Sequence, residues 1–128
     1  MTMDTKKRIM VVDDDKEFLE ELEYMLCQAG YDVTATSDSS SAIDIANAAK
    51  PDLILLDLRM RPVSGFEVAG TLRRSPETSQ IPIISISGYY TMQEHEFLMN
   101  FCGIRKFLKK PINPQEAIAE IKNILGAV

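Results

Sequence analysis

The 128-residue chain is short of the residues that several functional classes require. It has two cysteines, Cys27 and Cys102, in separate segments, no Cys-x-x-Cys, and one histidine, His95. A structural zinc site needs four clustered thiolate or imidazole ligands, so none is expected, and both cysteines read as plain buried or half-buried side chains. Positive charge is short as well: 14 Lys and Arg stand against 19 Asp and Glu, a formal net charge of −5. No general basic field exists to attract a phosphate backbone, which argues against direct nucleic-acid binding. Long apolar runs are missing. The longest, 52–58 and 81–86, fall far below the roughly 20 residues that span a bilayer. The segment after Lys6-Lys7-Arg8 meets Asp13-Asp14-Asp15 too soon to form a signal-peptide core. A cytoplasmic protein that neither crosses nor binds a membrane is therefore expected. With six Gly, six Pro, 45% hydrophobic and 26% charged residues, disordered and fibrous classes are set aside too.

What is present has the length of one domain, 1–128, with a core over about 8–126. Short apolar runs alternate with longer amphipathic ones, the pattern of βα units. Strands are expected at 8–12, 32–36, 52–57, 81–87 and 104–108. Leu53-Ile54-Leu55-Leu56 and Ile83-Ile84-Ser85-Ile86 are almost wholly apolar, as in a parallel sheet covered on both faces. Between the strands, apolar residues recur at three and four. In the first helix Phe18, Leu22, Met25 and Ala29 form one face, Glu17, Glu20 and Glu21 lie away from it, and Gly30 suits the C-terminal cap. Further helices are expected at 40–49, 65–74 and 92–101, the last interrupted by His95, Glu96 and Asn100. A fifth starts with Asn113 as N-cap and Pro114 at the first helical position, and buries Ala117, Ile118, Ile121 and Leu125. Five strands joined by right-handed crossovers give an α/β domain, a doubly wound five-stranded parallel sheet.

In such sheets function gathers at the carboxyl ends of the strands. The first strand ends in Asp13-Asp14-Asp15, the third in Asp57, the fourth in Ser87-Gly88 and the fifth in Lys109-Lys110-Pro111. Taken singly, each has an ordinary alternative. Asp15 reads as a helix cap, Asp13 and Asp14 as further candidates for one, Asp57 as a strand terminus, Ser87 as a loop hydroxyl and Lys110 as a solvated charge. Together at one sheet edge they point to other chemistry. Gathered carboxylates repel, so without a cation one of them should be pushed toward protonation. Hard oxygen ligands in an incomplete cage favour Mg²⁺, and an amine and a hydroxyl opposite it suit a phosphoryl group.

These segments, 9–15, 51–58, 83–88 and 107–111, make the chain resemble a response-regulator receiver domain over nearly its whole length. The resemblance implies a flavodoxin-like (βα)5 fold with strand order 2-1-3-4-5. It makes Asp57 the phosphoacceptor and Asp14 a direct Mg²⁺ ligand, with Asp13 acting partly through water and the Arg59 backbone carbonyl completing the set; Mn²⁺ is the expected substitute. Ser87, Gly88 and Lys110 would receive the phosphoryl oxygens, with a cis bond between Lys110 and Pro111. Ser87 and Phe107 would carry the switch to the surface of the fourth and fifth helices and the fifth strand. The implied donor is a sensor histidine kinase or histidine phosphotransfer protein, and the output a downstream effector or a fused output domain. The domain would promote only its own phosphotransfer and autodephosphorylation, without turning over an outside substrate.

Three positions depart from the family pattern. Met60-Arg61-Pro62 delays by one residue the proline that usually follows the methionine. Phe107 stands where many members have tyrosine, and Arg59 and Tyr89 fill the two variable positions flanking the site. Other classes fit less well. A haloacid-dehalogenase-type phosphatase needs a second acid two residues after the nucleophile, where this chain has Arg59. A flavin carrier needs a Ser/Thr/Gly-rich phosphate loop after the first strand, and a degenerate receiver that binds partners without phosphorylation would not need every chemical position filled.

Overall fold

A computed structural model of the chain describes residues 6–88, 93, 96 and 98–126. Apolar β-formers generate five strands, β1 (Arg8–Val12), β2 (Asp32–Thr36), β3 (Leu53–Asp57), β4 (Ile83–Ser87) and β5 (Ile104–Lys109). All pair in parallel in the order β2-β1-β3-β4-β5. The helices among the described residues are α1 (Lys16–Gln28), α2 (Ala42–Ala49), α3 (Gly65–Arg74) and α4 (Pro114–Leu125), with a 3₁₀ turn over Ser39–Ser41 and a π-helical stretch over Leu98–Cys102. The expected helix over 92–101 therefore ends as a π-helix, and its residues 92, 94, 95 and 97 lie outside the described residues, as does Tyr89.

The period of two along each strand sorts the core into two layers. Met10, Val12, Ile54 and Leu56 face α2 and α3, meeting Ala42, Ala46, Val68 and Leu72. Ile9, Val11, Leu53 and Leu55 face the opposite way, onto Leu19, Leu22 and Leu26 of α1 and Ala117 and Ile121 of α4. All five residues of β3 and of β4 are buried, as their unbroken apolar runs require of strands covered on both faces.

Two expectations about α1 need correction. Its buried stripe is Leu19, Leu22 and Leu26, flanked by Phe18 and Ala29, while Met25 is only half-buried. The two stripes share Leu22 and overlap in direction, and packing against β1, β3 and the last helix selects the leucine stripe. Cys27 is exposed, because the residue after Leu26 lies about 100° around the helix from the buried stripe. Cys102 is buried as expected. Gly30 follows the C-cap residue Ala29 and adopts φ 100°, the left-handed turn that ends the helix.

Because β1 lies between β2 and β3, its connection leaves to one side while β3 continues to the other. The strand order thus reverses between β1 and β3, opening a crevice at their carboxyl ends. Asp13 follows β1 directly and Asp57 is the last residue of β3.

Candidate functional site

Asp13 is wholly buried. Its amide donates to the Thr36 carbonyl at 3.2 Å, fixing the backbone where β1 ends. Its Oδ1 accepts from the Asp15 amide at 2.9 Å and from Lys110 Nζ at 3.1 Å. Its Oδ2 lies 2.9 Å from the same ammonium, yet without hydrogen-bond geometry, and has no hydrogen-bond donor among the described residues. Asp14 is exposed at the mouth. Asp15 turns away to cap α1, accepting from the Phe18 amide at 3.2 Å, as its position predicted.

Asp57 is 4% exposed. Its Oδ1 accepts from the Arg59 amide at 3.1 Å, and its Oδ2 lies 3.7 Å from Lys110 Nζ. One carboxylate oxygen from each of Asp13, Asp14 and Asp57 falls within 4.8 Å of the others. Lys110 reaches the cluster from the end of β5. Its amide donates to the Ser87 carbonyl at 2.8 Å, and its Nζ lies 5.0 Å from the centroid of the Phe18 ring. Ser87 is buried at the end of β4, followed by exposed Gly88. Phe107 is partly buried against the α2–α3 side of the core and pairs across the sheet with Ser85. The Lys110–Pro111 bond is cis, as the resemblance implies, and so is Arg61–Pro62.

This environment shapes the charges. Burial is the main reason the Asp57 carboxyl is pushed up from 3.8 to about 6; the Arg59 amide opposes it, Asp13 adds to it, Lys110 opposes it and Asp14 adds slightly. Repulsion between gathered carboxylates, the cause expected from sequence, is thus secondary to desolvation. Burial also raises Asp13, against the pull of the Asp15 amide and Lys110. For Lys110, burial alone would lower the ammonium, but the hydrogen bond and charge of Asp13, then Asp57 and Asp15, more than offset it.

The residues fit a small hard cation. Three carboxylates converge, two of them buried, and buried Asp13 Oδ2 lacks the hydrogen bond that such an oxygen ordinarily has. A divalent ion at the crevice would satisfy that oxygen and offset the cost of holding several acids together.

Sequence reading missed part of the site's support. An ideal Cβ at Gly65 would collide with the Asp57 carbonyl and lie 2.6 Å from Leu58 Cα, so only glycine lets α3 start against the end of β3. Ser64 caps α3 by accepting from the Glu67 amide at 3.2 Å. Ser64-Gly65-Phe66-Glu67 has the Ser-x-x-Glu spacing of a capping box, a signal available in the sequence. At the opposite, amino edge of the sheet, Arg73 donates to the carbonyls of Cys102 at 2.6 Å, Ile81 at 2.7 Å, Ser79 at 3.0 Å and Thr78 at 3.2 Å, tying α3 to the segments that lead into β4 and β5. No local signal announces that role.

A parallel sheet with its order reversing beside a buried aspartate, two further acids and a lysine is the architecture of a receiver domain. The model of the response regulator receiver domain family matches residues 9–122, and the chain belongs to that family. It is 36% identical to the alkaline phosphatase synthesis transcriptional regulatory protein PhoP of Bacillus subtilis over 122 residues, 93% of this chain but 48% of PhoP. It is 31% identical to the polar-differentiation response regulator DivK of Brucella anthropi over 120 residues, 94% of this chain and 97% of DivK. The chain thus spans about half of one relative and nearly all of the other. Among solved structures, Vibrio cholerae chemotaxis protein CheY4 superposes with TM-score 0.87 at 23% identity, covering 94% of this chain and 99% of that one. The receiver domain of the sensor histidine kinase PA1611 from Pseudomonas aeruginosa, solved with a magnesium ion in its active-site cleft, gives 0.83 at 24% identity, covering 96% and 100%. No described helix is long and apolar enough to cross a membrane.

Proposed function

We propose that this receiver domain is a phosphorylation-dependent signalling switch that takes a phosphoryl group on Asp57. The carrying observation is a buried carboxylate, Asp57, set between two further acids and an ammonium at the point where strand order reverses. Oδ1 of Asp57 is engaged by the Arg59 amide, which leaves Oδ2 as the nucleophile. That oxygen attacks phosphorus, the P–N bond of a phosphohistidine breaks, and the imidazole leaves with the electron pair. Lys110, 3.7 Å from Oδ2, stands on the side where phosphoryl charge would accumulate, and the Ser87 hydroxyl and Gly88 backbone complete that side. Water later cleaves the acyl phosphate, restoring the carboxylate and releasing inorganic phosphate.

Asp14 and Asp57, with Asp13 and the Arg59 carbonyl, would hold Mg²⁺, or Mn²⁺ in its place, and the ion would supply neutralisation of the phosphoryl oxygens. The magnesium in the PA1611 receiver supports that choice. On this reading the domain acts on no outside substrate. It is a cytoplasmic partner of a sensor histidine kinase or histidine phosphotransfer protein, and it signals to an effector protein or a fused output domain. A degenerate receiver would keep the fold without gaining phosphate.

Intact mass spectrometry after incubation with phosphoramidate and Mg²⁺ tests the reading. One added phosphoryl group is expected on the wild type, none with EDTA, and none on Asp57→Asn. Phosphorylation of Asp57→Asn at the wild-type rate would overturn the acceptor assignment, and an unmodified wild type would favour the degenerate receiver.

A further inference from the structure

The loop from Leu58 to Ser64 joins the acceptor strand to α3 and carries Arg59, whose amide holds Asp57 Oδ1. Its ends are secured close to the sheet. The Leu58 amide donates to the Ile86 carbonyl at 3.1 Å, and the Gly65 amide closes the loop on the Leu58 carbonyl at 3.1 Å. The middle contains Met60-Arg61-Pro62, and Pro62 has no N–H to give, so the first backbone donor after it belongs to Val63. That N–H does not go to water. It donates to the hydroxyl of Ser39 at 3.1 Å, across 24 residues of sequence.

Ser39 is 1% exposed, an unusual burial for a serine at the start of a surface turn. The turn is held for it. Asp38 accepts from the Ser40 amide at 3.0 Å, the Ser40 hydroxyl at 2.6 Å and the Ser41 hydroxyl at 2.8 Å. The Asp38 amide in turn donates to Thr36 Oγ1 at 3.1 Å. Thr36 is also the residue whose carbonyl receives the Asp13 amide. The segment from Thr36 to Ser39 therefore reaches two backbones beside the acidic cluster, that of Asp13 from the end of β2 and that of Val63 in the acceptor loop.

We propose that Ser39 is a positioning residue for the phosphoacceptor loop: its buried hydroxyl holds Val63 and so sets where Arg59 presents its backbone to Asp57 and to the cation. The inference rests on the phosphoacceptor reading of Asp57, but its first consequence, a fixed loop, is measurable without phosphorylation. It also accounts for how the displaced proline is accommodated. The loop keeps a defined path because its first donor after Pro62 has a buried acceptor waiting.

The test compares Ser39→Ala with Thr78→Val in the full chain. Thr78 is a matched control: its hydroxyl is also buried, donating to the Leu72 carbonyl at 2.6 Å, but it lies beyond the C-terminal end of α3, away from the acids. Urea unfolding gives each variant's loss of stability, amide exchange reports Val63, and amide-shift titration with MgCl₂ alone gives the cation affinity. In Ser39→Ala, Val63 exchange should speed up and the Mg²⁺ dissociation constant should rise about fivefold, the equivalent of one hydrogen bond of about 1 kcal/mol. Thr78→Val should lose comparable stability with its Mg²⁺ affinity unchanged. Should Ser39→Ala not fold, Ser39→Cys keeps the volume with a weaker acceptor and should show a smaller shift in the same direction. A Mg²⁺ affinity in the Ser39 variants equal to that of Thr78→Val, or unchanged Val63 exchange, overturns the proposal. If the wild type takes no phosphoryl group yet both Ser39 effects appear, the anchor stands and the phosphoacceptor reading falls.

Discussion

Replacing Asp57 by Asn should stabilise the metal-free protein at neutral pH, although it removes the residue proposed to carry the function. The folded Asp57 carboxyl is pushed from 3.8 to about 6, chiefly by burial. A raised folded pKa means that the native state holds its proton more tightly than the unfolded chain does. Stability from this group is therefore greatest below about 3.8, falls as pH rises from there through about 6, and stays low above it. At roughly 1.4 kcal/mol for each unit, ionised Asp57 costs the apo protein about 3 kcal/mol at neutral pH. With only 4% exposure, solvent does little to screen that cost. Asparagine has the same shape, keeps an oxygen for the Arg59 amide and carries no charge. The attraction lost from Lys110 at 3.7 Å is already counted, because the shift is net of it.

The assay is urea unfolding followed by far-ultraviolet circular dichroism, in EDTA, between pH 3.5 and 7.5. Asp13 is present in both proteins, so the difference between the two curves isolates Asp57 and its repulsion with Asp13. Asp57→Asn should be more stable by about 3 kcal/mol at pH 7.5, and the difference should close toward pH 3.5. Mg²⁺ at a hundredfold excess over its dissociation constant should close most of this gap, since an ion that binds the native cluster then stabilises wild type by about 2.7 kcal/mol. A variant no more stable than wild type at pH 7.5 in EDTA would refute the reasoning. So would a gain that does not shrink in acid.

Gly65→Ala should destabilise by about 3 kcal/mol, because its Cβ meets the Asp57 carbonyl and Leu58 Cα, both backbone atoms that cannot swing away as a side chain would; thermal unfolding reads the loss. Phosphoramidate labelling of whatever variant folds should also slow, since relief must part the start of α3 from the backbone of Asp57 and Leu58. Beryllofluoride, a mimic of the bound phosphoryl group, should move amide signals from Ser87 to Lys110 in a Mg²⁺-dependent way. Changes confined to the neighbours of Asp57 would remove the case for a switch.

The sheet was legible because unbroken runs such as Leu53-Ile54-Leu55-Leu56 admit little besides a strand buried on both faces, and the structure starts β3 at Leu53 and ends it at Asp57. The candidate site residues could be placed for a related reason. In a parallel sheet they sit immediately after those runs, so locating the strands locates Asp13, Asp57, Ser87 and Lys110. The α1 face was misjudged because two stripes of similar periodicity overlap there, and only the surfaces that α1 packs against choose Leu19, Leu22 and Leu26. What fixes the site's shape was not legible. Ser39 meets Val63 across 24 residues beside the site, and at the opposite edge of the sheet Arg73 meets Cys102 across 29; neither contact leaves a trace in local period or propensity. Gly65 reads as an ordinary helix start until the Asp57 carbonyl is placed against it.

Lys110 shows how burial and charge combine at this site. Its ammonium lies 2.9 Å from one oxygen of Asp13 but 3.7 Å from Asp57, so in the metal-free state it serves Asp13 first. Burial keeps that pair close, and a buried acid without it would be held at much greater cost. A phosphoryl group on Asp57 would add negative charge on the weaker side of this balance, while a divalent ion would take over part of Lys110's work at Asp13. Both changes draw the ammonium the same way. Its backbone amide is fixed to the Ser87 carbonyl at 2.8 Å, so the pull would be felt where β4 and β5 end and not only at the side chain. A switch needs a state that the new charge favours over the old one. On the proposed reading, a lysine divided between two acids and tied to the neighbouring strand supplies that difference.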